Sequence, residues 1–331
     1  MSKPAEIRLS ARTSQLLRGP RALTVLAQLS GDAFFDGLRA AAPPPTSVSQ
    51  RLVLGVPETS HDQQAQPAPV TEPVEAAAVS DLLAQQGPVL DDAARLVERV
   101  LAIVSGWAWY PAVLSVRQLL LSRATRYEVA AEQLSRASGA AWWWSDANRG
   151  AQVMLTATAT PPDVRELARQ CEESLDDPSW HLPLGVVTST ALPGLPATEL
   201  ANPDSVTRGG TIHCWTTHLP GSTRIYDVHT PSDWIRLCEE HPRTKALPDA
   251  WRRWGIDAPF ALWPDWRSAA TEWDAIHISM AGLLTTVGLP IGQGLHAALL
   301  EGEVDTELTT WLHPRFDGFS LAAVRSTDAD G

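Results

Sequence analysis

The densest group of chemically capable side chains lies near the end of the chain, in the segment E-V-D-T-E at residues 303–307. In an extended strand, residues two apart lie on the same face, so Glu303, Asp305 and Glu307 are expected to point the same way. Repulsion between clustered carboxylates raises the pKa of at least one of them, which suits general acid or base chemistry. The same group could also hold a cation. The alternative is an exposed acidic strand that discourages edge-to-edge aggregation.

A second candidate is the segment G-G-T-I-H-C-W-T-T at residues 209–217. Its two glycines allow the backbone to approach a ligand closely. The hydroxyls of Thr216 and Thr217, which follow Trp215, could clamp a sugar or a flat ring. The alternative is a turn followed by a strand whose Trp215 fills the core.

Histidine is concentrated in the second half of the chain, where eight of the nine follow residue 180. No pair has the H-E-x-x-H spacing or a comparable spacing of metal ligands, so no metal site is predicted. His277 is expected on the polar face of a half-buried strand, and a ligand or catalytic role is the second interpretation. No phosphate loop, Rossmann glycine run or G-x-S-x-G motif is found, and the glycine-rich stretch at residues 288–294 is interpreted as a loop.

A fold of the α+β class must position these residues: an N-terminal helical region joined to a C-terminal mixed α+β domain with short strands. Apolar spacing predicts helices at residues 10–42 (one or two), 91–104, 112–121, 125–137 and 162–174. Capping residues predict further helices that start near residues 230 and 265. Alternation predicts strands at residues 211–217, 223–228 and 275–279, and a closing pair at 303–312 and 319–325.

Composition divides the chain into four parts. These are a short helical and extended segment at 1–56, a flexible Pro/Ala-rich linker at 57–79, a helical domain at 80–180 and a Trp-rich α+β domain at 181–331. The linker has too few large apolar groups to bury a core. The stretch from Glu128 to Trp144 faintly resembles a helix-turn-helix, but three tryptophans stand where a basic recognition helix would begin. A DNA-binding regulator is therefore not favoured.

The charge balance argues against strong binding of nucleic acid. The formal net charge is -12, and the part of the chain from residue 181 onward contains 10 basic and 18 acidic residues. That balance repels phosphate backbones. The longest stretch without Asp, Glu, Lys or Arg, at residues 275–300, contains histidines, a proline and several glycines, so no membrane span is expected. Arginines recur near the N-terminus without an apolar region, which predicts no signal peptide and a cytoplasmic protein.

Three cysteines, Cys171, Cys214 and Cys238, lack C-x-x-C spacing. This pattern predicts reduced, buried thiols, not a zinc site or a disulfide framework. Nucleophilic chemistry through Cys214 or Cys238 together with a histidine stays open, although nothing in the local sequence activates either thiol.

Four segments together resemble an uncharacterised family of actinobacterial and actinophage proteins. They are C-W-T-T at 214–217, Y-D-V-H-T-P-S-D-W-I-R-L-C-E-E-H-P at 226–242, D-W at 265–266 with W-D-A-I-H-I-S at 273–279, and E-L-T-T-W-L at 307–312. The resemblance covers roughly the last 130 residues and implies no settled activity.

The strand with W-T-T and the late D-x-E also resemble, more remotely, the ADP-ribosyltransferase folds, which grip NAD in a split β core. That resemblance implies that Glu307 is the catalytic acid and that Thr216 or Thr217 supports the nicotinamide side of NAD. His277 is a further candidate for the catalytic group. Asp305 departs from the pattern, because those enzymes usually have Glu at this place.

The same resemblance implies that NAD is a substrate and not a permanently bound cofactor. Candidates for NAD contacts are Arg208, His213, Trp215 and Thr217. The residue of the first motif of such enzymes is not assigned, and Arg208 and His213 are the two candidates for it. The partner is then a protein or small-molecule acceptor that the sequence does not identify. The alternative is a non-enzymatic protein-interaction module associated with phages or mobile elements.

Overall fold

A computed structural model describes residues 10–30, 87–104, 124–176, 182–202, 210–253, 256–300 and 304–326. Helices and sheets in this part of the chain give an α+β fold, as predicted. The α-helices are α1 (Ala11–Leu16), α2 (Pro20–Leu29), α3 (Gly87–Leu90), α4 (Ala93–Val104), α5 (Glu128–Arg136), α6 (Val164–Leu175), α7 (Pro231–Glu240), α8 (Asp249–Arg253), α9 (Trp266–Glu272) and α10 (Met280–Thr286). Short 3₁₀ helices cover Ala124–Tyr127, Ser138–Trp144 and Thr198–Ala201.

The strands form two sheets. They are β1 (Gln152–Thr156), β2 (Val187–Thr190), β3 (Thr211–Thr217), β4 (Ile225–Val228), β5 (Pro242–Ala246), β6 (Phe260–Pro264), β7 (Ala275–Ile278), β8 (Ile291–Gln293), β9 (His296–Ala298), β10 (Leu308–Trp311) and β11 (Ser320–Ser326). A central sheet of seven strands has the order β11-β3-β1-β2-β10-β7-β4, and a smaller sheet has the order β5-β6-β9-β8. In the central sheet only the β7–β4 pair is parallel.

One hydrophobic cluster joins the N-terminal helices to the central sheet. It contains Leu23 of α2, Val97 of α4, Ile276 of β7 and Leu284 of α10, all of them fully buried. Burial of apolar surface is the main favourable term in folding. Described residues before and after the predicted domain boundary at residue 180 therefore contribute to the same cluster.

Two local features fix the end of β4, which carries part of the site described below. The next helix, α7, starts with a capping box between Thr230 and Asp233, as its sequence predicts. The first turn of α10 lies so close to β4 that a Cβ atom at Gly282 would stand 2.1 Å from the carbonyl oxygen of Val228. Only glycine permits this approach, because any side chain would push the two backbones apart.

Several predicted elements are confirmed, including two helices between residues 10 and 42 and the strands at 211–217, 225–228 and 275–278. The two closing strands are confirmed as β10 and β11, but they are not neighbours in the sheet: β10 pairs with β2 and β7, whereas β11 pairs with β3. The 57–79 linker, the extended run at 51–56 and the helix after Pro111 lie outside the described residues. In the part of the chain that the structure covers, no helix has the length and apolar character needed to cross a membrane.

Candidate functional site

Polar side chains form a row across one face of the central sheet. The row takes one residue from each of four neighbouring strands, and each residue lies opposite the next. In order they are Thr188 of β2, Thr309 of β10, His277 of β7 and Asp227 of β4. Opposite residues on neighbouring strands share a face of the sheet. Thr188, Thr309 and His277 are at most 3% exposed. Buried polar groups are normally paired, and the side-chain contacts of His277 lead from this row to the site.

Glu307 is the innermost member of the site and is fully buried. Its Oε1 accepts hydrogen bonds from the hydroxyl of Thr190 (2.9 Å) and from Nε2 of His277 (3.1 Å). Its Oε2 accepts from the backbone N–H of Thr190 (3.0 Å) and from the hydroxyl of Thr198 (2.6 Å). On the other side of the imidazole, Nδ1 of His277 lies 2.8 Å from Oδ1 of Asp227. We call Asp227, His277 and Glu307 the polar array.

An N-terminal helix helps to position Glu307. Arg21 of α2 is buried and donates a hydrogen bond of 2.6 Å to the carbonyl oxygen of Val304. Its guanidinium also lies 3.5 Å from the carboxylate of Asp305. These contacts hold the segment that leads into β10, so the helical half of the chain takes part in building the site.

The polar array contains a buried ion pair. Burial alone would lower the pKa of His277, but its hydrogen bonds to Asp227 and Glu307 outweigh burial and raise that pKa to about 9. Burial would raise the pKa of Glu307, but His277 and the donors on Thr190 and Thr198 outweigh it and lower that pKa. At neutral pH the protonated imidazole of His277 is therefore paired with the ionised carboxylate of Glu307.

The expected cluster of repelling carboxylates at residues 303–307 is wrong. Residues 304–307 precede the strand, Asp305 contacts Arg21 and Glu307 contacts His277, while Glu303 lies outside the described residues. The pKa of Glu307 falls because its partner is a cation. A raised carboxyl pKa is found at Glu199 instead, where burial and the negative charge of Glu307 raise it to about 7.

The polar array reaches the surface at Asp227, whose side chain is 19% exposed. Oδ1 of Asp227 also accepts a hydrogen bond of 2.8 Å from the backbone N–H of Ala147. Two residues further on, Nε2 of His229 lies 3.1 Å from Oδ1 of Asp146, whose side chain is 83% exposed. Ligand atoms of Asp146, Asp227 and His229 all lie within 4.8 Å of one another. We call these three residues the surface cluster.

The second predicted segment lies elsewhere on the same sheet. The hydroxyl of Thr216 donates to the carbonyl oxygen of Ser320 and that of Thr217 donates to the carbonyl oxygen of Gly318. Strands β1 and β2 separate β3 from β10. The structure therefore brings His277 and Glu307 together but leaves Thr216 apart from them.

The predicted NAD contacts on β3 are mostly buried. Trp215 is 4% exposed, and its indole N–H donates to the hydroxyl of Thr156 at 2.9 Å. The ring of His213 stacks at 6.5 Å from that of Trp215. The alternative interpretation, a strand whose tryptophan fills the core, describes this geometry. Arg208 lies outside the described residues.

Part of the site was missed by the sequence analysis although a signal was present. The D-V-H run at residues 227–229 ends a predicted strand, and residues two apart on a strand share a face. Asp227 and His229 were therefore recognisable as neighbours with ligand-type side chains. Asp146, Thr190 and Thr198 gave no such signal, because each reaches the site from a distant part of the sequence.

The prediction of reduced, buried thiols is confirmed, since Cys171, Cys214 and Cys238 are all free and buried. Burial raises the pKa of Cys171 to about 12 and also raises the pKa of Cys214 and Cys238. A raised pKa keeps a thiol protonated and unreactive at neutral pH. The structure thus offers no activated cysteine among these three.

Comparison of the chain with models of protein families, with curated proteins and with solved structures finds no match.

Proposed function

We propose that this protein is an NAD-consuming enzyme, a glycohydrolase or an ADP-ribosyltransferase, whose reaction takes place at the surface cluster. The observation that carries the proposal is the polar array, which runs from the fully buried Glu307 to the partly exposed carboxylate of Asp227. Titratable groups linked in this way mark functional sites more often than ordinary surface. The choice of NAD rests on the sequence resemblance to ADP-ribosyltransferases.

The geometry favours a different division of roles from the one that the resemblance implies. Glu307 is enclosed and its two oxygens accept four hydrogen bonds within the protein. We therefore assign Glu307 and His277 as positioning residues that hold Asp227. Asp227 is the carboxylate that faces the substrate.

This arrangement suits cleavage of the bond between nicotinamide and ribose. The oxygen of a water molecule bonds to C1′ of the ribose, while the bond from C1′ to the nicotinamide nitrogen breaks and its electron pair leaves with nicotinamide. The proton of the water passes through Asp227 to solvent. Positive charge develops on the ribose in the transition state, and a fixed carboxylate stabilises it. In a transferase, a hydroxyl oxygen or a guanidinium nitrogen of the acceptor takes the place of the water oxygen and loses a proton in the same way.

The test is release of nicotinamide from NAD by the purified full-length protein, measured by chromatography. Wild type is expected to release nicotinamide, and Asp227→Asn is expected to lose at least about 100-fold in rate, as is usual when an acid–base group is removed. Asp257→Asn is the control, since Asp257 is an exposed aspartate outside the site. Circular dichroism of each variant reports whether it is folded.

Two results would contradict the proposal. One is the absence of nicotinamide release by wild type, both in water and with arginine, a protein and a nucleic acid as acceptors. The other is a folded Asp227→Asn variant that turns over NAD at the rate of wild type. Loss of activity in Asp257→Asn would show that the assay reports general damage.

A protein-interaction role is the second candidate, and the edge strand β11 favours it. Leu321 and Val324 on this strand are 51% and 52% exposed. The outer edge of a terminal strand can accept another strand through backbone hydrogen bonds. If a second copy binds there, light scattering will show a dimer that the Leu321→Glu/Val324→Glu variant loses. If wild type is monomeric, self-association through β11 is excluded.

A further inference from the structure

We infer that the surface cluster binds a divalent transition-metal cation. The binding itself is independent of the proposed function. The role of the cation rests on that function, because NAD carries a pyrophosphate that two uncompensated carboxylates would repel. A site formed by Asp146, Asp227 and His229 would supply the positive charge that such a substrate needs.

The distances within the surface cluster suit a single cation. Ligand atoms that bind one cation at about 2.1 Å lie about 3 to 4 Å apart, depending on the coordination angle. The ligand atoms of Asp146, Asp227 and His229 already lie within 4.8 Å of one another. Small side-chain movements therefore complete the geometry, and the highly exposed Asp146 is free to make them.

The ring of His229 presents one nitrogen to the surface cluster. Its Nε2 lies 3.1 Å from Oδ1 of Asp146, and the side chain is 21% exposed. Imidazole is the commonest metal ligand in proteins, and it binds through the lone pair of one ring nitrogen. A cation in the surface cluster would therefore bind Nε2 of His229 together with a carboxylate oxygen of Asp146.

Asp227 is oriented as a metal ligand should be. Its Oδ1 accepts hydrogen bonds from Ala147 and His277. Its Oδ2 has no hydrogen-bond partner within the part of the chain that the structure describes, so this oxygen is free to bind a ligand. Carboxylates that bind metals are typically held by such outer hydrogen bonds, and losing them weakens binding. The buried pair of His277 and Glu307 thus fixes one ligand of the cation.

The charge of the site points in the same direction. Asp146 and Asp227 bring two carboxylates together at the surface, where their side chains are 83% and 19% exposed. Clustered carboxylates attract cations and repel phosphates. A bound cation therefore changes the surface cluster from a site that rejects a pyrophosphate into one that binds it.

The ligand types select the class of cation. Two carboxylates and an imidazole suit Mn²⁺ or Zn²⁺, whereas Ca²⁺ prefers a larger shell made only of oxygens. Three protein ligands leave room for water and substrate, and a metal-bound water loses its proton near neutral pH. Asp227 would then act on the water through the cation.

The experiment measures binding of Mn²⁺ to the full-length protein by electron paramagnetic resonance, without NAD. Wild type is expected to bind one Mn²⁺ per chain. Asp146→Ala and His229→Leu are each expected to weaken binding by at least about 10-fold, since each removes one of three ligands. Asp257→Ala is the matched control, because it removes an exposed aspartate outside the cluster. Zn²⁺ should displace Mn²⁺, and equimolar Ca²⁺ should not.

The results separate this inference from the proposed function. Absence of Mn²⁺ binding, or equal binding by wild type and both cluster variants, overturns the cation site. Mn²⁺ binding by wild type that the cluster variants lose supports the site, even if NAD is not consumed. Another outcome would be that NAD is consumed at the same rate after EDTA has removed metal ions and in Asp146→Ala. That result overturns the catalytic role of the cation but does not contradict the proposed function.

Discussion

The two ends of the site differ in how completely the protein surrounds them. Glu307 is fully buried and accepts four hydrogen bonds, whereas Asp146 is 83% exposed and contacts His229. A buried charge that loses its partner is costly, but an exposed ion pair contributes little to stability. The buried end should therefore determine stability and the exposed end should determine binding. Substitutions can test that separation, beginning with the one expected to have the largest effect.

The largest effect is expected for His277→Gln, which leaves Glu307 ionised and buried without a cation. Removing one partner of a buried ion pair costs about 3–5 kcal/mol of the free energy of unfolding. His241→Gln is the matched control, since His241 is equally buried but its Nδ1 pairs with the neutral hydroxyl of Ser268. Urea unfolding of both variants measures the difference. Equal losses would mean that the ion pair adds nothing beyond ordinary packing.

The next effect concerns pH and Glu199, whose pKa is raised to about 7. The folded protein then holds a proton that the unfolded chain releases near pH 4.5, so stability should fall as the pH rises from about 5 to about 7 and then level off. The contribution of Glu199 is at most about 3 kcal/mol, since each pKa unit corresponds to about 1.4 kcal/mol.

Glu199→Gln tests this pH dependence, because glutamine cannot ionise. The difference in unfolding free energy between pH 5 and pH 8, measured with urea, should shrink in this variant. Glu239→Gln, at an exposed position, should leave the difference as it is in wild type. An unchanged difference in Glu199→Gln would show that another group causes the pH dependence.

A smaller effect is expected for Thr198→Val. The hydroxyl of Thr198 donates a 2.6 Å hydrogen bond to Glu307, and a bond to a charged group contributes about 2 kcal/mol. Thr309→Val is the control at a fully buried threonine whose hydroxyl has no hydrogen-bond partner among the described residues. Thermal unfolding should therefore show a clear loss for Thr198→Val and little change for Thr309→Val. The reverse order would contradict the assigned hydrogen bonds.

The smallest effect on stability is expected at the exposed end. Asp146→Ala should change the free energy of unfolding by less than about 0.5 kcal/mol, because its ion pair with His229 lies at the surface. The same variant should lose most of its affinity for Mn²⁺. Urea unfolding and Mn²⁺ titration of one preparation test both statements together. A large loss of stability would remove the contrast between the two ends.

The sequence is most informative where a residue's role follows from its near neighbours. His277 lies on a strand predicted from alternation, and the helix after β4 begins at a capping box visible in T-P-S-D. Glu307 is recognisable from the sequence as a chemically important carboxylate. Its partner is not, because the pairing with His277 depends on the register between β10 and β7.

Strand β2 shows why other parts of the fold escape prediction. Its sequence, V-T-S-T, lies between Pro183 and Pro193, in a region where no strand is predicted. Polar residues usually indicate exposure, but Thr188, Ser189 and Thr190 are buried. The backbone N–H and the hydroxyl of Thr190 both donate hydrogen bonds to Glu307. A segment that supports a buried charge therefore lacks the apolar pattern on which strand prediction depends.

The contact of Arg21 with Val304 and Asp305 has a practical consequence for work with fragments. A fragment limited to the Trp-rich part of the chain would lack α2 and would leave the entry to β10 without its guanidinium anchor. Such a fragment would report on a distorted Glu307. Residues 10–30 therefore belong in any truncated version that is meant to retain the activity of the whole protein.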